Sequence, residues 1–318
     1  MVAGNDRATL VAFFVGAALA GANAVGVRFS NRELDPLWGA CLRFALAAII
    51  FLVLAAALRL ALPRGRAFWG AVLWGTIQFG ATFALMYYAF VELQAGFGQI
   101  ILALVPLLTV LLAVLQGQER LHLAALGGAV LAVVGVAVMS SASLHGSVPL
   151  LSVLAGLGGA LCFAQAAVLV RLLPPVHPIT MNAVGMVAGT GVLFVGALAA
   201  GETFELPRGA ATWTALVYLV TLGSVAVFLL YVFVLRRWAA SRAAYAFLFS
   251  PIVSLALSAW LDDEPVTAGL VLGGFLVLGG VYVGALRPSV SVPSPPEDAP
   301  ETRCKQRPAV DTLSSGDG

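Results

Sequence analysis

Apolar residues in this chain gather into long runs separated by short polar joints. Ten runs of roughly 20 residues or more stand out, at about 8–28, 37–61, 67–91, 95–116, 121–142, 149–171, 178–200, 211–235, 239–261 and 266–286. About 20 helical residues cross the roughly 30 Å of hydrocarbon in a bilayer. The pattern therefore predicts an all-α membrane protein with ten transmembrane helices. Polar, Pro- or Gly-bearing joints fall at 31–36, 62–66, 143–147, 173–178 and 201–205. Joints this short make successive helices antiparallel neighbours.

Composition agrees. Of 318 residues, 61% are hydrophobic and 10% charged. A soluble domain has about 45–50% apolar and about 25% charged residues. An ordinary soluble enzyme is excluded. A net charge of +2 is too small for a nucleic-acid partner. Three cysteines set up no disulfide framework, and the three histidines lack metal spacing. The first apolar run exceeds the ~7–15 residues of a signal-peptide core, so it reads as a retained span. Residues 287–318 hold six of the sixteen prolines and few large apolar side chains, and read as a disordered tail.

Basic residues orient the chain. Thirteen of the seventeen fall on the side of the N-terminus, and Arg28, Arg32 and Arg208 fall opposite. Arg43 alone lies inside a span. Both termini are expected to be cytoplasmic. Lys305 is the single lysine, an arginine bias that suggests a bacterial inner (plasma) membrane.

The chain also repeats itself. At an offset of 145, Thr76, Ala81, Phe83, Pro106, Glu119, Gly128 and Gly135 match Thr221, Ala226, Phe228, Pro251, Glu264, Gly273 and Gly280. At 142, Asn23 matches Gln165 and Pro36 matches Pro178. This predicts one repeat over 1–142, a linker at 143–148 and a second repeat over 149–286. Five spans per repeat put the second upside down relative to the first. Such inverted five-helix repeats are a signature of secondary transporters, whose halves exchange conformations around a site near the midplane.

Pro106-Leu-Leu, Gly117-Gln-Glu-Arg120, Gly127-Gly and Gly135-Val, with the second copy Pro251-Ile-Val, Asp262-Asp-Glu-Pro265, Gly273-Gly and Gly279-Gly-Val, resemble the ending of an EamA-type repeat. The segment Gly21 to Arg28, followed by Pro36 and Arg43, is similar to that family's opening, with Ala20-Gly21 where Trp-Gly is usual. The resemblance, to the drug/metabolite transporter superfamily, covers about 8–286. It implies export or exchange of small metabolites, often amino acids, or of toxic compounds. It also implies a central cavity walled mainly by helices 1, 3, 4, 6, 8 and 9.

Candidate substrate-binding residues follow from polar groups inside spans. Arg43 reads either as a counter-ion for a carboxylate or phosphate, or as a snorkelling residue paired with Glu33 and Asp35. Asn23 and Gln165 form a quasi-symmetric amide pair. Gln78 and Thr82 lie four apart on helix 3, and Gln99 lies on the small-residue stripe of helix 4. Helix 9 carries a hydroxyl stripe of Ser250, Ser254 and Ser258. Tyr88 and Tyr245 are candidate cavity closers with the aromatic belt as the rival reading. Pro106 and Pro251 are candidate hinge or gating positions. Glu119 and Glu264 are expected to cap the helices that follow them. No Asp or Glu lies deep in a span; Glu92, at the end of helix 3, is the nearest acid. That favours a facilitator, an exchanger or coupling through a peripheral group. The amides and Arg43 suit a zwitterion or anion.

No catalytic residue, metal or cofactor is expected. The partners are a small-molecule substrate and the lipid bilayer, with a monomer or homodimer as assembly. Competing readings are multidrug or lipophilic-compound efflux, a membrane-embedded enzyme using Asp262-Asp-Glu264, and a non-transporting scaffold.

Overall fold

The structure is a computed structural model, and it describes residues 3–118, 123–143, 149–235, 237 and 246–286. These residues are helical apart from short connections. α1 is Ala3–Ser30 and α2 is Pro36–Ala57. α3 is Arg66–Glu92, α4 is Ala95–Leu115 and α5 is Leu123–Ser143. α6 is Leu150–Leu172 and α7 is Pro178–Ala200. α8 comprises Ala210–Val220, Thr221–Ala226 and Val227–Leu235. α9 is Ala246–Leu261, and α10 is Ala268–Val281 with the π turn Tyr282–Leu286.

α1, α2, α3, α4, α6, α7 and α8 contain stretches long and apolar enough to cross a membrane; α5, α9 and α10 are apolar over shorter stretches. The fold is thus an all-α, multi-pass membrane bundle. In hydrocarbon every backbone polar group must be satisfied internally, which helices achieve. The outward faces carry exposed Val53, Val130, Val133, Leu151, Val195 and Phe275.

Punctuation falls where the residue chemistry demands it. Pro36 and Pro178 each occupy the first helical turn, where the missing N–H costs nothing. His177 Nδ1 accepts from Ile179 N at the start of α7. Gly201, at φ 71°, ends α7 in the left-handed conformation that glycine adopts without strain. The two prolines inside spans behave differently. Pro106 follows a break at 103–104, where α4 restarts at Val105, whereas Pro251 stays within a continuous α9. Glu119, Tyr245, residues 144–148 and the tail from 287 onward lie outside the described residues.

Two irregularities sit in register. α3 contains a π-helical turn at Thr76–Ala81, and α8 contains one at Thr221–Ala226. Their offset is the 145 residues of the sequence repeat. Packing also crosses between 3–143 and 149–286. α1 lies against α8 and α9, α6 against α3 and α4, α2 against α7, and α5 against α10.

Glycines set the closest approaches. A methyl added to Gly128 would lie 2.4 Å from the Gly280 carbonyl oxygen, and one on Gly135 would lie 2.7 Å from that of Gly273. The α5–α10 contact is therefore backbone on backbone. The α3–α7 contact is similar, since a methyl on Gly75 would lie 2.1 Å from Gly185 Cα. Small residues permit this close approach, which suits association where lipid tails compete for apolar contact.

Candidate functional site

A cavity of about 610 Å³ lies inside the bundle. Its lining comes from α1, α3, α4, α6, α8 and α9, and also from α2 and α7. α5 and α10 contribute none of the lining residues. Aromatic side chains such as Phe44, Trp74, Phe79, Phe83 and Phe228 form much of the wall. A mostly apolar pocket with a few placed polar groups is the usual form of a small-molecule site.

Arg43 is the central polar group. It is 2% exposed and does not reach out to Glu33 or Asp35. Its Nε donates to Ser224 Oγ at 3.1 Å and its Nη2 to Gly223 O at 3.2 Å. Asn23 Nδ2 donates to the same Gly223 carbonyl at 3.0 Å. The π turn of α8 thus presents a carbonyl to two side chains from α2 and α1. Ser224 Oγ in turn donates to Leu219 O at 2.8 Å. Phe44 and Phe83 lie 5.1 and 5.2 Å from the guanidinium carbon, within cation–π range.

The other candidates divide. Gln78, Thr82 and Gln99 line the cavity with Asn23 and Arg43. Gln99 Nε2 donates to Ser250 Oγ at 3.0 Å, joining α4 to α9. Gln165 does not join them: its Oε1 accepts from Gln116 Nε2 at 2.7 Å, near the end of α4. Tyr88 is 45% exposed, and its neighbour Tyr87, 0% exposed, lines the cavity instead. One residue along a helix turns the side chain by about 100°, and only one of two adjacent tyrosines can face inward. Neither Tyr87 nor Asn182, which also lines the cavity, was singled out from sequence.

The cavity is asymmetric along the bundle. Its lining reaches Ala12 near the start of α1, Arg171 at the end of α6 and Val234 at the end of α8. In the other direction it stops near Val27 and Phe90. Beyond them an ionic cluster fills the end. Arg28 Nε lies 3.2 Å from Asp262 Oδ2 and 2.8 Å from Glu264 Oε1. Arg28 Nη1 donates to Leu93 O at 2.6 Å, and Arg32 pairs with Asp262 Oδ1.

Glu264, expected at the start of α10, instead accepts Ala95 N at 3.0 and 3.2 Å and so caps α4. α10 is capped by Thr267 Oγ1, which accepts from Leu270 N. Burial pushes the Glu264 carboxyl above its usual range, against the lowering effect of Arg28. Two more acids at this end cap helices from a distance. Glu202 accepts Leu37 N and Trp38 N at the start of α2, at 3.1 and 2.8 Å. Glu33 accepts Arg208 N and Gly209 N at the start of α8, at 2.8 and 3.0 Å. The Gly209 and Arg208 N–H groups hold the Glu33 carboxyl below its usual range.

Among the described residues, no group of His, Cys, Asp or Glu converges as a metal site. Asp262 and Glu264 face arginines rather than one another's ligand sphere.

Comparison with known proteins places this geometry. The family model described as "EamA-like transporter family" matches residues 7–141 and again 150–285. The chain is 26% identical over 262 residues to an uncharacterized transporter of Archaeoglobus fulgidus, covering 81% of this chain and 91% of that one. It is 28% identical over 276 residues to a probable amino-acid metabolite efflux pump of Escherichia coli, covering 83% and 90%. It is 28% identical over 246 residues to a probable terminal-alkyne amino-acid exporter of Streptantibioticus cattleyicolor, covering 76% and 81%. A solved crystal structure shares the fold with a TM-score of 0.63 at 19% identity, covering 88% of this chain and 97% of that one. A many-helix membrane bundle, a closed-ended internal cavity and two family matches in tandem lead to one assignment: the chain belongs to the EamA-like transporter family, whose members are transporters rather than enzymes.

Proposed function

We propose that this protein is a secondary transporter of small metabolites, an exporter or exchanger, that works by alternating access with amino-acid-like compounds first among its substrates. The observation that carries the reading is the cavity that extends to one end of the bundle and stops beneath the Arg28–Asp262–Glu264 cluster at the other. A carrier between half-cycles has this form. Two of the similar proteins bear names that speak of amino-acid efflux or export, which supports the substrate class.

The architecture in this proposal is ten transmembrane helices in two inverted five-helix repeats, 1–142 and 149–286, joined by 143–148. The paired π turns of α3 and α8 support it. So does the reciprocal glycine contact, in which Gly128 meets Gly280 while its repeat mate Gly273 meets Gly135. With both termini cytoplasmic, as the arginine bias suggests, the cavity is inward-open in a bacterial inner membrane. Pro106, at the break in α4, and Pro251, in α9, are the hinge positions. Asn23, Arg43, Gln78 and Gln99 form the substrate site. The aromatic wall favours a second reading, efflux of lipophilic compounds.

Counterflow in proteoliposomes tests the proposal. A labelled amino-acid panel is expected to enter vesicles preloaded with the same compounds faster than it enters protein-free vesicles. If only lipophilic dyes move, the second reading stands. If nothing moves through folded protein, alternating-access transport is wrong.

A further inference from the structure

We infer that the cavity selects organic monoanions: Arg43 is the handle for a substrate carboxylate, and the described lining holds no acid to pair with a substrate ammonium group. This rests on the transport reading and moves its preferred substrates from amino acids to the matching deaminated acids.

The argument starts from charge. Arginine stays protonated at any physiological pH, so a buried guanidinium cannot escape its desolvation by losing a proton. Arg43 is 2% exposed and lies in a largely apolar cavity. Its hydrogen bonds run to a serine hydroxyl and a backbone carbonyl, which supply dipoles and no negative charge. Nη1 is buried and has no hydrogen-bond partner. A buried cation so placed calls for an anion.

No Asp or Glu is among the described residues that line the cavity. The charged lining residues are Arg43 and, at the open end, Arg171. Two further polar atoms stand unused beside the guanidinium's cavity. The Tyr87 hydroxyl is fully buried and has no hydrogen-bond partner. Asn23 Oδ1 is likewise buried and unpartnered. A carboxylate placed against Nη1 accepts a charge-assisted bond there and a second from the Tyr87 hydroxyl. The body of the molecule then rests on Phe44, Phe83 and Trp74. An α-ammonium brought to the same place finds the like charge of Arg43 and no carboxylate, with only the neutral acceptor Asn23 Oδ1 and the aromatic faces to offset its desolvation. A deaminated acid is therefore expected to bind at least as well as the matching amino acid.

The test uses the full chain, purified in nanodiscs, and four probes on one phenylethyl skeleton: 3-phenylpropanoate, 3-phenylpropanamide, phenylalanine and phenethylamine. Quenching of Trp74, with Trp74→Phe as the control, reports binding. 3-Phenylpropanoate is expected to bind about tenfold tighter than 3-phenylpropanamide, with phenylalanine no tighter than 3-phenylpropanoate and phenethylamine weakest. In Arg43→Gln the acid and the amide should bind alike, while the amide keeps its wild-type affinity. Equal binding of acid and amide to the wild-type protein overturns the inference. So does phenylalanine binding tenfold tighter than 3-phenylpropanoate. These wild-type comparisons decide even if Arg43→Gln does not fold. Flux in proteoliposomes is scored separately. Acid-selective binding without flux removes the transport reading alone, whereas flux without acid preference removes this inference alone.

Discussion

Arg28, in the last turn of α1, holds its Nε 2.8 Å from Glu264 in the loop after α9, and Glu264 in turn caps α4 through Ala95 N. One acid thus fastens three helices at the closed end of the cavity. The pair is mostly shielded from solvent, with side-chain exposures of 24% and 7%.

The closure should therefore tighten in acid. Burial holds Glu264 above the ordinary carboxylate range against Arg28, and the neighbouring Asp262 raises it further. Its folded pKa exceeds its unfolded one. The linked stability is then full below the unfolded value and is lost as pH rises through the raised one. Acidification should protonate Glu264, a form the buried closed end favours over an open, solvated one. A fluorophore pair at Glu92→Cys and Trp260→Cys, in a background lacking the native cysteines, is expected to show a narrower distance distribution at about pH 5 than at about pH 8. Glu264→Gln, uncharged at both, should show the narrow distribution at both. Identical distributions with and without the charge would sink the idea.

Glu202 should matter more than its neighbour Glu205. Glu202→Ala strips two backbone N–H groups at the start of α2 of their acceptor. Loss of such a cap costs about 0.5–2 kcal/mol. Glu205 pairs with Arg208 on the surface, where an ion pair contributes about 0–1 kcal/mol. Denaturant melts of the two variants in one detergent provide the comparison. Equal losses would show that the distant cap contributes nothing of its own.

Adjacent glycines on α5 should respond oppositely. A methyl at Gly128 meets the Gly280 carbonyl oxygen at 2.4 Å, whereas one at Gly127 meets nothing within 4 Å. Gly128→Ala must move two backbones apart, at a cost of about 1–3 kcal/mol or more. Gly127→Ala should gain a few tenths up to about 1 kcal/mol from helix propensity. Thermal unfolding of both variants checks the sign. A harmless Gly128→Ala would mean the α5–α10 seam is loose.

Gln99 and Gln165 should separate in transport. Gln99→Leu leaves the buried Ser250 hydroxyl without its partner, at about 1–3 kcal/mol, and removes a polar group from the cavity. Gln165→Leu touches only the contact with Gln116. Counterflow rates should fall severalfold in the first and stay near wild type in the second. The reverse order would move the substrate site away from α4 and α9.

What the chain reveals in one dimension depends on whether a group's partner is near in sequence. Helix ends at Pro36, Pro178 and Gly201 were legible because the residue itself enforces the boundary. Arg43 was legible as an anomaly, since an ionisable group inside an apolar run stands out. Its partners Gly223 and Ser224 were not, because they lie on α8 and gain their role from a π turn that no composition signals. Asn23 and Gln165 match in the repeat yet only Asn23 enters the cavity, so symmetry of sequence did not carry over to the hydrogen bonds. Glu264 precedes α10 in the chain, which suggested a local cap. Its carboxylate instead reaches a helix 169 positions away.

The distant caps have a consequence for the order in which the molecule is made. α2 and α4 begin with N–H groups that are completed by Glu202 and Glu264, both contributed by the later half of the chain, while α8 is completed by Glu33 from the earlier half. When the first five helices have been synthesised, the starts of α2 and α4 still lack these acceptors. The acid that completes α4 is translated only after α9. The closed end therefore takes its final form only once residue 264 has been made, and a chain truncated before it would leave the ribosome with a cavity unsealed.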